Sequence, residues 1–482
     1  MAMPPVEFQA TIDAEHAKPK AIMANLQSIC VEDALICKSA RNRAETAEAA
    51  GVLDVLTDVL VSPGSTNGDG TPPMLQPSQI IQAMQFDGFY TRNPVNTDDA
   101  PRLTITYQFA GNSAPGDLPT GSNYSGWQSF SAAEQAAFAE AFAHIETFLN
   151  VDFVEVQGSS DPDLNLGSVT IPGSTVGIGG YSMSFRGDDI TRWDGYAVFD
   201  NTLDMSQDNR ESLILHELGH ALGLQHTHDS SLPEEFDSNL YSVMSYRENP
   251  LNGQDSDAMM LFDVLALQDI WGAADFNTGN TTYRGSRTDT VDVVWDTGGT
   301  DTFNASNRTN AVTLDLREMH FSSFDADSDV TIAQGVTIEN AIGGRGRDRI
   351  TGNDANNRLV GGGGRDTLRG DGGNDALNGN SGVDLLVGGG GNDRLNGAGG
   401  NDRLVGNSGA DLFIFARKGG NDTIRDFQDD IDTLRIVGHG SKADVLARAS
   451  EVGDDLYFDL EGNHSITLRN MTLDQISDDL LV

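Results

Sequence analysis

The chain has 482 residues, more than one compact core accommodates, so two or three domains are expected. Its 72 acidic and 30 basic residues leave a formal net charge of −42, which argues against nucleic acid and anionic membrane surfaces as partners. A surplus of Asp is what many bound calcium ions require. The fold does not rest on disulfides, because there are only two cysteines, and no run of about 18 apolar residues exists to span a membrane.

Residues 1–85 read as an extension ahead of a catalytic domain. Met1 to Lys20 lack the charged start and apolar stretch of a secretory signal, which taken alone suggests a cytoplasmic protein. Ala21 to Val61 carry helical spacing in Ile22, Leu26 and Ile29 and again in Leu53, Leu56 and Leu60, predicting two or three helices. Residues 62–73, rich in Gly, Ser, Thr and Pro, form a linker by composition. An extension joined by an exposed linker suggests a prosegment, and so a zymogen. Cys30 and Cys37 read as a buried pair or a small local disulfide. A sharper alternative is a thiolate that caps a metal in the latent form.

Residues 86–272 read as mixed α and β. Leu103–Phe109 alternates as a strand does. Ser131 and Glu134 form a capping box that opens a helix with Phe138, Phe142, Ile145 and Leu149 on one side. Strands are expected at 153–156 and within 188–199, and a second helix begins near Asn209.

That second helix carries His216-Glu217-Leu218-Gly219-His220, followed by Gly223 and His226. Residues four apart lie on one helical face, so His216 and His220 aim at one ion. Gly223 permits the left-handed turn that ends a helix and brings in His226 as third ligand. Three protein ligands and a water make the open arrangement of a catalytic zinc. Glu217 is placed to act as general base on that water. The extended pattern, completed by a downstream Met-turn at Tyr241–Tyr246, is the metzincin signature. Met244 is expected as an apolar floor beneath the ion, and Tyr246 as a phenol turned to the metal or to the oxyanion.

From Gly343 the chain runs in eight blocks of nine residues. The sixth position is Asp348, Asp366, Asp375, Asp384, Asp393, Asp402 and Asp411, broken only by Asn357 in the second block. The eighth position is always apolar. Six residues form a Gly-rich turn and three a short strand with one inward side chain, the pattern of a calcium-binding parallel β-roll. Glycines let backbone carbonyls point into the turn, so calcium ligands are expected from Gly344, Gly346, Gly362, Gly364, Gly373, Gly382, Gly389, Gly391, Gly400 and Gly409 beside those Asp carboxylates.

Together these residues resemble the serralysin-type metalloproteases, secreted metzincins with an RTX calcium-binding domain, over roughly residues 75–482. The resemblance implies an α+β fold: a metzincin-like zinc protease domain at 86–272, then a right-handed parallel β-roll (RTX) domain at 273–482, behind the helical N-terminal extension. It implies zinc held by His216, His220, His226 and Tyr246, with Glu217 as base and Tyr246 also at the reacting centre. The segment Trp295 to Asp301, with Thr337 and Glu339, implies further calcium sites at Asp296, Gly298, Gly299 and Asp301. It also implies export by a one-step (type I) transporter that reads a C-terminus such as Asp479-Leu480-Leu481-Val482, which accounts for the missing N-terminal signal. The expected molecule is an extracellular monomer with one zinc and several calcium ions. It cleaves protein or peptide substrates broadly, inserts into no membrane, and has a proteinaceous inhibitor among its partners. Thr227 departs from the family's usual Pro after the third histidine. The competing reading is a calcium-dependent adhesive RTX surface protein whose protease domain has decayed.

Overall fold

The computed structural model describes residues 75–482, apart from 117, 119–123, 160, 288–289, 326–327, 418 and 461–463. The helices expected before residue 62, Cys30 and Cys37, and the linker at 62–73 lie outside the described residues.

Among the described residues, five α-helices and a mixed sheet make up most of the first part. Helix α1 (Pro77–Met84) begins with Pro, which suits the first turn of a helix, and buries Ile80, Ala83 and Met84. A short α2 (Asp87–Tyr90) follows. Helix α3 (Ala132–Phe148) starts at the expected capping box: Glu134 N–H donates to Ser131 Oγ, and Ser131 N–H to the Glu134 carboxylate. Phe138, Phe142, Ile145 and Leu149 are all buried. The sheet has the order β3-β1-β4-β6-β5, with β2 beside β4. Its strands are β1 (Leu103–Phe109), β2 (Ser125–Gln128), β3 (Val151–Glu155), β4 (Leu164–Thr170), β5 (Gly177–Arg186) and β6 (Asp189–Asp200). Strand β5 runs antiparallel to β6 at the end of this order. Helix α4 (Glu211–Leu222) lies against β5, and α5 (Leu261–Trp271) packs on α1.

The second part stacks parallel strands in two nine-stranded sheets. Within the nine-residue repeats, neighbours in a sheet are eighteen residues apart, as in Leu359 against Leu377 and Leu368 against Leu386. Successive nine-residue blocks therefore alternate between sheets, and two blocks make one coil. The eighth-position side chains from Ile350 to Phe413 are all buried, forming one apolar column inside the stack. Several strands are longer than the three residues expected. Arg358–Gly364 continues through its turn because Gly362, Gly363 and Gly364 also pair with Asn380, Ser381 and Gly382 of the next coil. Glycine-rich turns are flat enough to stack backbone on backbone. Gly362, Gly364, Gly373, Gly382, Gly389, Gly391, Gly400 and Gly409 take φ between +98° and +153°, whereas Gly344 and Gly346 in the first turn do not. Two strands farther on, 449–452 and 455–459, turn antiparallel and close one end of one sheet. Among the described residues no helix is long and apolar enough to cross a membrane.

Candidate metal centre and cleft

Helix α4 ends where the sequence places its stop. Gly223 adopts φ +119°, and the N–H groups of Gly223 and Leu224 both reach back to the Gly219 carbonyl. Two buried indoles satisfy the next carbonyls: Trp193 donates to Ala221 O at 3.0 Å and Trp271 to Leu222 O at 2.9 Å. The left-handed turn carries His226 back over the helix. His226 Nε2 then lies 3.2 Å from His216 Nε2 and 2.9 Å from His220 Nε2. The three histidines expected as ligands are thus brought together.

The outer nitrogens explain how the inner ones are held. His216 Nδ1 faces Val243 O and His220 Nδ1 faces Leu224 O, both at 2.8 Å. A carbonyl only accepts, so each Nδ1 carries the proton and each Nε2 presents a lone pair. His226 Nδ1 faces Asp229 Oδ2 at 3.4 Å. Burial lowers the pKa of His216 to about 4 and of His220 to about 3, which keeps both rings neutral. Neutral imidazoles converging through their lone pairs repel one another unless a cation lies between them. This donor set fits a zinc-class divalent ion.

Glu217 lies beside the cluster, and burial lifts its carboxyl to about 7. Strand β5 passes so close that a Cβ at Gly177 would sit 2.5 Å from Glu217 Oε1, and one at Gly179 would overlap the Glu217 carbonyl. Met244 is fully buried, and a Cβ at Gly219 would lie 2.6 Å from its Sδ, so the thioether packs directly under the histidine helix. Tyr246 is 69% exposed, with its hydroxyl 2.7 Å from His226 Nε2. The cleft, about 410 Å³, is lined by Phe86, Gly177, Ile178, Gly179, Glu217, His220, Gln225, His226, Asp229 and Tyr246.

Local sequence patterns did not reveal what holds the Met-turn. Asp263 in α5 is completely buried and accepts from Ser242 Oγ at 2.6 Å, Val243 N at 2.7 Å and Met260 N at 2.9 Å. Burial lifts its carboxyl to about 6. Val243 is the residue whose carbonyl orients His216, so Asp263 supports the metal cluster through the turn. Asp263→Ala would leave three donors unpaired in the interior and is expected to cost about 3 kcal/mol or more of stability, read by denaturant unfolding. Thr227, the departure from Pro, has a role of its own: its hydroxyl donates to buried Asp237, which also accepts from Ser245 Oγ at 2.8 Å and pairs with Arg247.

The roll carries a second donor set. Asp348, Asp366, Asp375, Asp384, Asp393, Asp402 and Asp411 are all buried at its edges. Each Asp N–H donates to Oδ1 of the Asp one coil on, as in Asp366 N to Asp384 Oδ1 at 2.9 Å and Asp375 N to Asp393 Oδ1 at 2.8 Å. The second oxygen, Oδ2, of Asp366, Asp375, Asp384, Asp393, Asp402 and Asp411 is buried with no hydrogen-bond partner. Rows of orphaned carboxylate oxygens beside backbone carbonyls fit hard cations such as calcium. Asn357 differs: its amide is satisfied by Asn353 and by the Glu339 carbonyl. Ahead of the roll, Asp296 and Asp301 are buried next to each other, and Glu339 accepts from Asp301 N at 2.7 Å. Gly298 N–H donates to Asp296 Oδ1, Gly299 has φ +123°, and Thr337 is exposed two residues before Glu339.

The chain is similar to one family model and to several known proteins. Residues 270–479 match the family model described as Peptidase M10 serralysin C terminal. Serralysin of Photorhabdus luminescens is 29% identical over 321 residues, which cover 59% of this chain and 65% of that protein. Metallopeptidase AprA of Pseudomonas marginalis is 29% identical over 367 residues, 66% of this chain and 74% of its own. Serralysin G of Dickeya chrysanthemi is 32% identical over 290 residues, 53% of this chain and 60% of its own.

Proposed function

This chain is a relative of the serralysin-type metalloproteases, and on that footing we propose that it is a secreted zinc endopeptidase stabilised by calcium. The observation that carries the reading is the convergence of three neutral imidazoles beside a buried carboxylate in an open cleft. His216, His220 and His226 would hold the ion, with Tyr246 next to them. Bound there, zinc supplies Lewis acidity, which acidifies a water and polarises the scissile carbonyl.

The protein's own groups do the rest. Glu217 takes the water's proton and returns it to the leaving amine. The Tyr246 phenol donates a hydrogen bond where negative charge develops on the carbonyl oxygen. Edge strand β5 offers backbone groups to an extended peptide, a mode of binding that reads main chain more than side chains. That supports broad specificity. Residues 86–272 are read as the metzincin-like protease domain and residues 273–482 as the calcium-binding roll, behind an N-terminal extension at 1–85 that acts as a prosegment. The Asp rows of the roll and the Asp296, Asp301 and Glu339 group are the proposed calcium sites. Export through a one-step transporter and action as an extracellular monomer on protein substrates belong to the same reading.

The test is hydrolysis of casein by the zinc-loaded chain, its loss after zinc is chelated in excess calcium, and recovery on adding zinc back. A zinc-replete, folded protein that leaves casein intact would sink the reading. Tyr246→Phe is expected to lower kcat by about 10²-fold, the cost of losing one donor to the developing oxyanion, with KM little changed. Steady-state kinetics on a fluorogenic peptide would measure both.

A further inference from the structure

At the far end of the roll one edge column finishes in an unusual way. Asp422 follows Asp402 in that column, and its Oδ1 accepts from Asp402 N at 2.9 Å. The next layer is the strand Ser465–Leu468, which pairs with Asn421–Ile424, and Ser465 N–H donates to Gly420 O. His464 stands at the head of this strand. It is 2% exposed, and neither ring nitrogen has a hydrogen-bond partner. A buried imidazole with both nitrogens unsatisfied calls for a physical reason.

The surroundings of its Nε2 supply one. A Cβ built on Gly419 would lie 2.9 Å from His464 Nε2 and 3.2 Å from both Ala398 O and Asp422 Oδ2. His464 Nε2, Ala398 O and Asp422 Oδ2 therefore converge beside the Gly419 backbone, an approach that a side chain at residue 419 would crowd. Asp422 is buried, and the ring of buried His439 faces that of His464 with centroids 5.2 Å apart.

We propose that His464, Asp422 and the Ala398 carbonyl form a second binding site for a zinc-class divalent ion, separate from the cleft. Calcium takes oxygen ligands, whereas an imidazole nitrogen suits zinc, cobalt or nickel. Zinc bonds to such ligands are roughly 2.0–2.2 Å long. Rotation of His464 and Asp422 would bring both to that length around one ion, and His439 is the candidate fourth ligand. An ion here joins the last Gly-rich turn to the strand that ends the stack, and so fastens the cap to the roll.

The experiment uses the full chain with Glu217→Ala to prevent self-digestion, saturated with calcium and equilibrated with zinc. Bound zinc is counted by mass spectrometry, and the fold is checked by circular dichroism. The expected result is a second equivalent of zinc beyond that held by the histidine cluster, lost in His464→Gln and retained in His216→Gln. Gly419→Ala gives an independent arm: it removes no ligand but pushes a methyl against all three ligand atoms, and it too should lose that equivalent. If His464→Gln misfolds, Gly419→Ala decides. The proposal is overturned by a single equivalent that disappears with His216, by full retention in a folded His464→Gln or Gly419→Ala, or by displacement of the second equivalent on raising calcium alone.

Discussion

Glu217→Ala is expected to lower peptide hydrolysis by about 10²–10⁴-fold, the range spanned by loss of a general base. Zinc at the histidine cluster should remain. Glu217 is adjacent in sequence to His216, but the converging Nε2 atoms belong to the three histidines alone. Its carboxylate lies under Gly177 of the edge strand, where an extended peptide would run. Burial lifts that carboxyl to about 7, so at neutral pH it is a strong enough base to accept a proton and a strong enough acid to give it back. Casein hydrolysis and zinc content measured on the same preparation separate loss of the base from loss of the ion. A variant that cleaves at the parent rate would refute the assigned role.

Removing calcium is expected to unfold the roll at neutral pH, with loss of its β-sheet circular dichroism. One inward apolar side chain per nine residues is a thin core, and buried carboxylate oxygens line both edges. The pH dependence without calcium has a definite sign. Burial lifts Asp366 and Asp375 to about 7, and Asp384, Asp402 and Asp411 to about 6. In an unfolded chain such groups titrate near 3.9. Between roughly pH 4 and 7 the folded roll therefore holds protons that the unfolded chain has released, so its stability falls as pH rises. Calcium reverses the slope, because its carboxylate ligands must be deprotonated. Thermal melts at pH 4.5 and 7.5, with calcium and with excess chelator, should show opposite trends. Full β content in chelator at pH 7.5 would contradict the account.

Much of the site was legible because its geometry is local. His216, Glu217 and His220 lie within one helical turn or so, and Gly223 sets the path to His226 three residues on. The roll was legible for a similar reason: identical blocks repeat their local rule, and stacking follows from repetition. What stayed hidden depends on partners distant in sequence. Asp263 grips the Met-turn from 20 and 21 residues away, and the indoles of Trp193 and Trp271 reach α4 carbonyls 28 and 49 residues distant. No periodicity marks a residue for such a role. The lengthened roll strands were missed because a rule written within one block omits the backbone pairing between coils. Thr227 could be flagged as a departure, yet its tie to Asp237 required the fold.

The eighteen-residue spacing of neighbours in the roll has a genealogical consequence. Excising one coil, such as residues 361–378, would join Val360 to Gly379 and leave each surviving neighbour facing a chemically equivalent one. Duplicating a coil would do the same in reverse. The domain can therefore lengthen or shorten by whole steps through tandem repeat gain and loss, without redesign of the protease part or of the closing strands. A change of nine residues is different: it sends every downstream block to the opposite sheet, and the strand led by His464 would then meet the wrong edge.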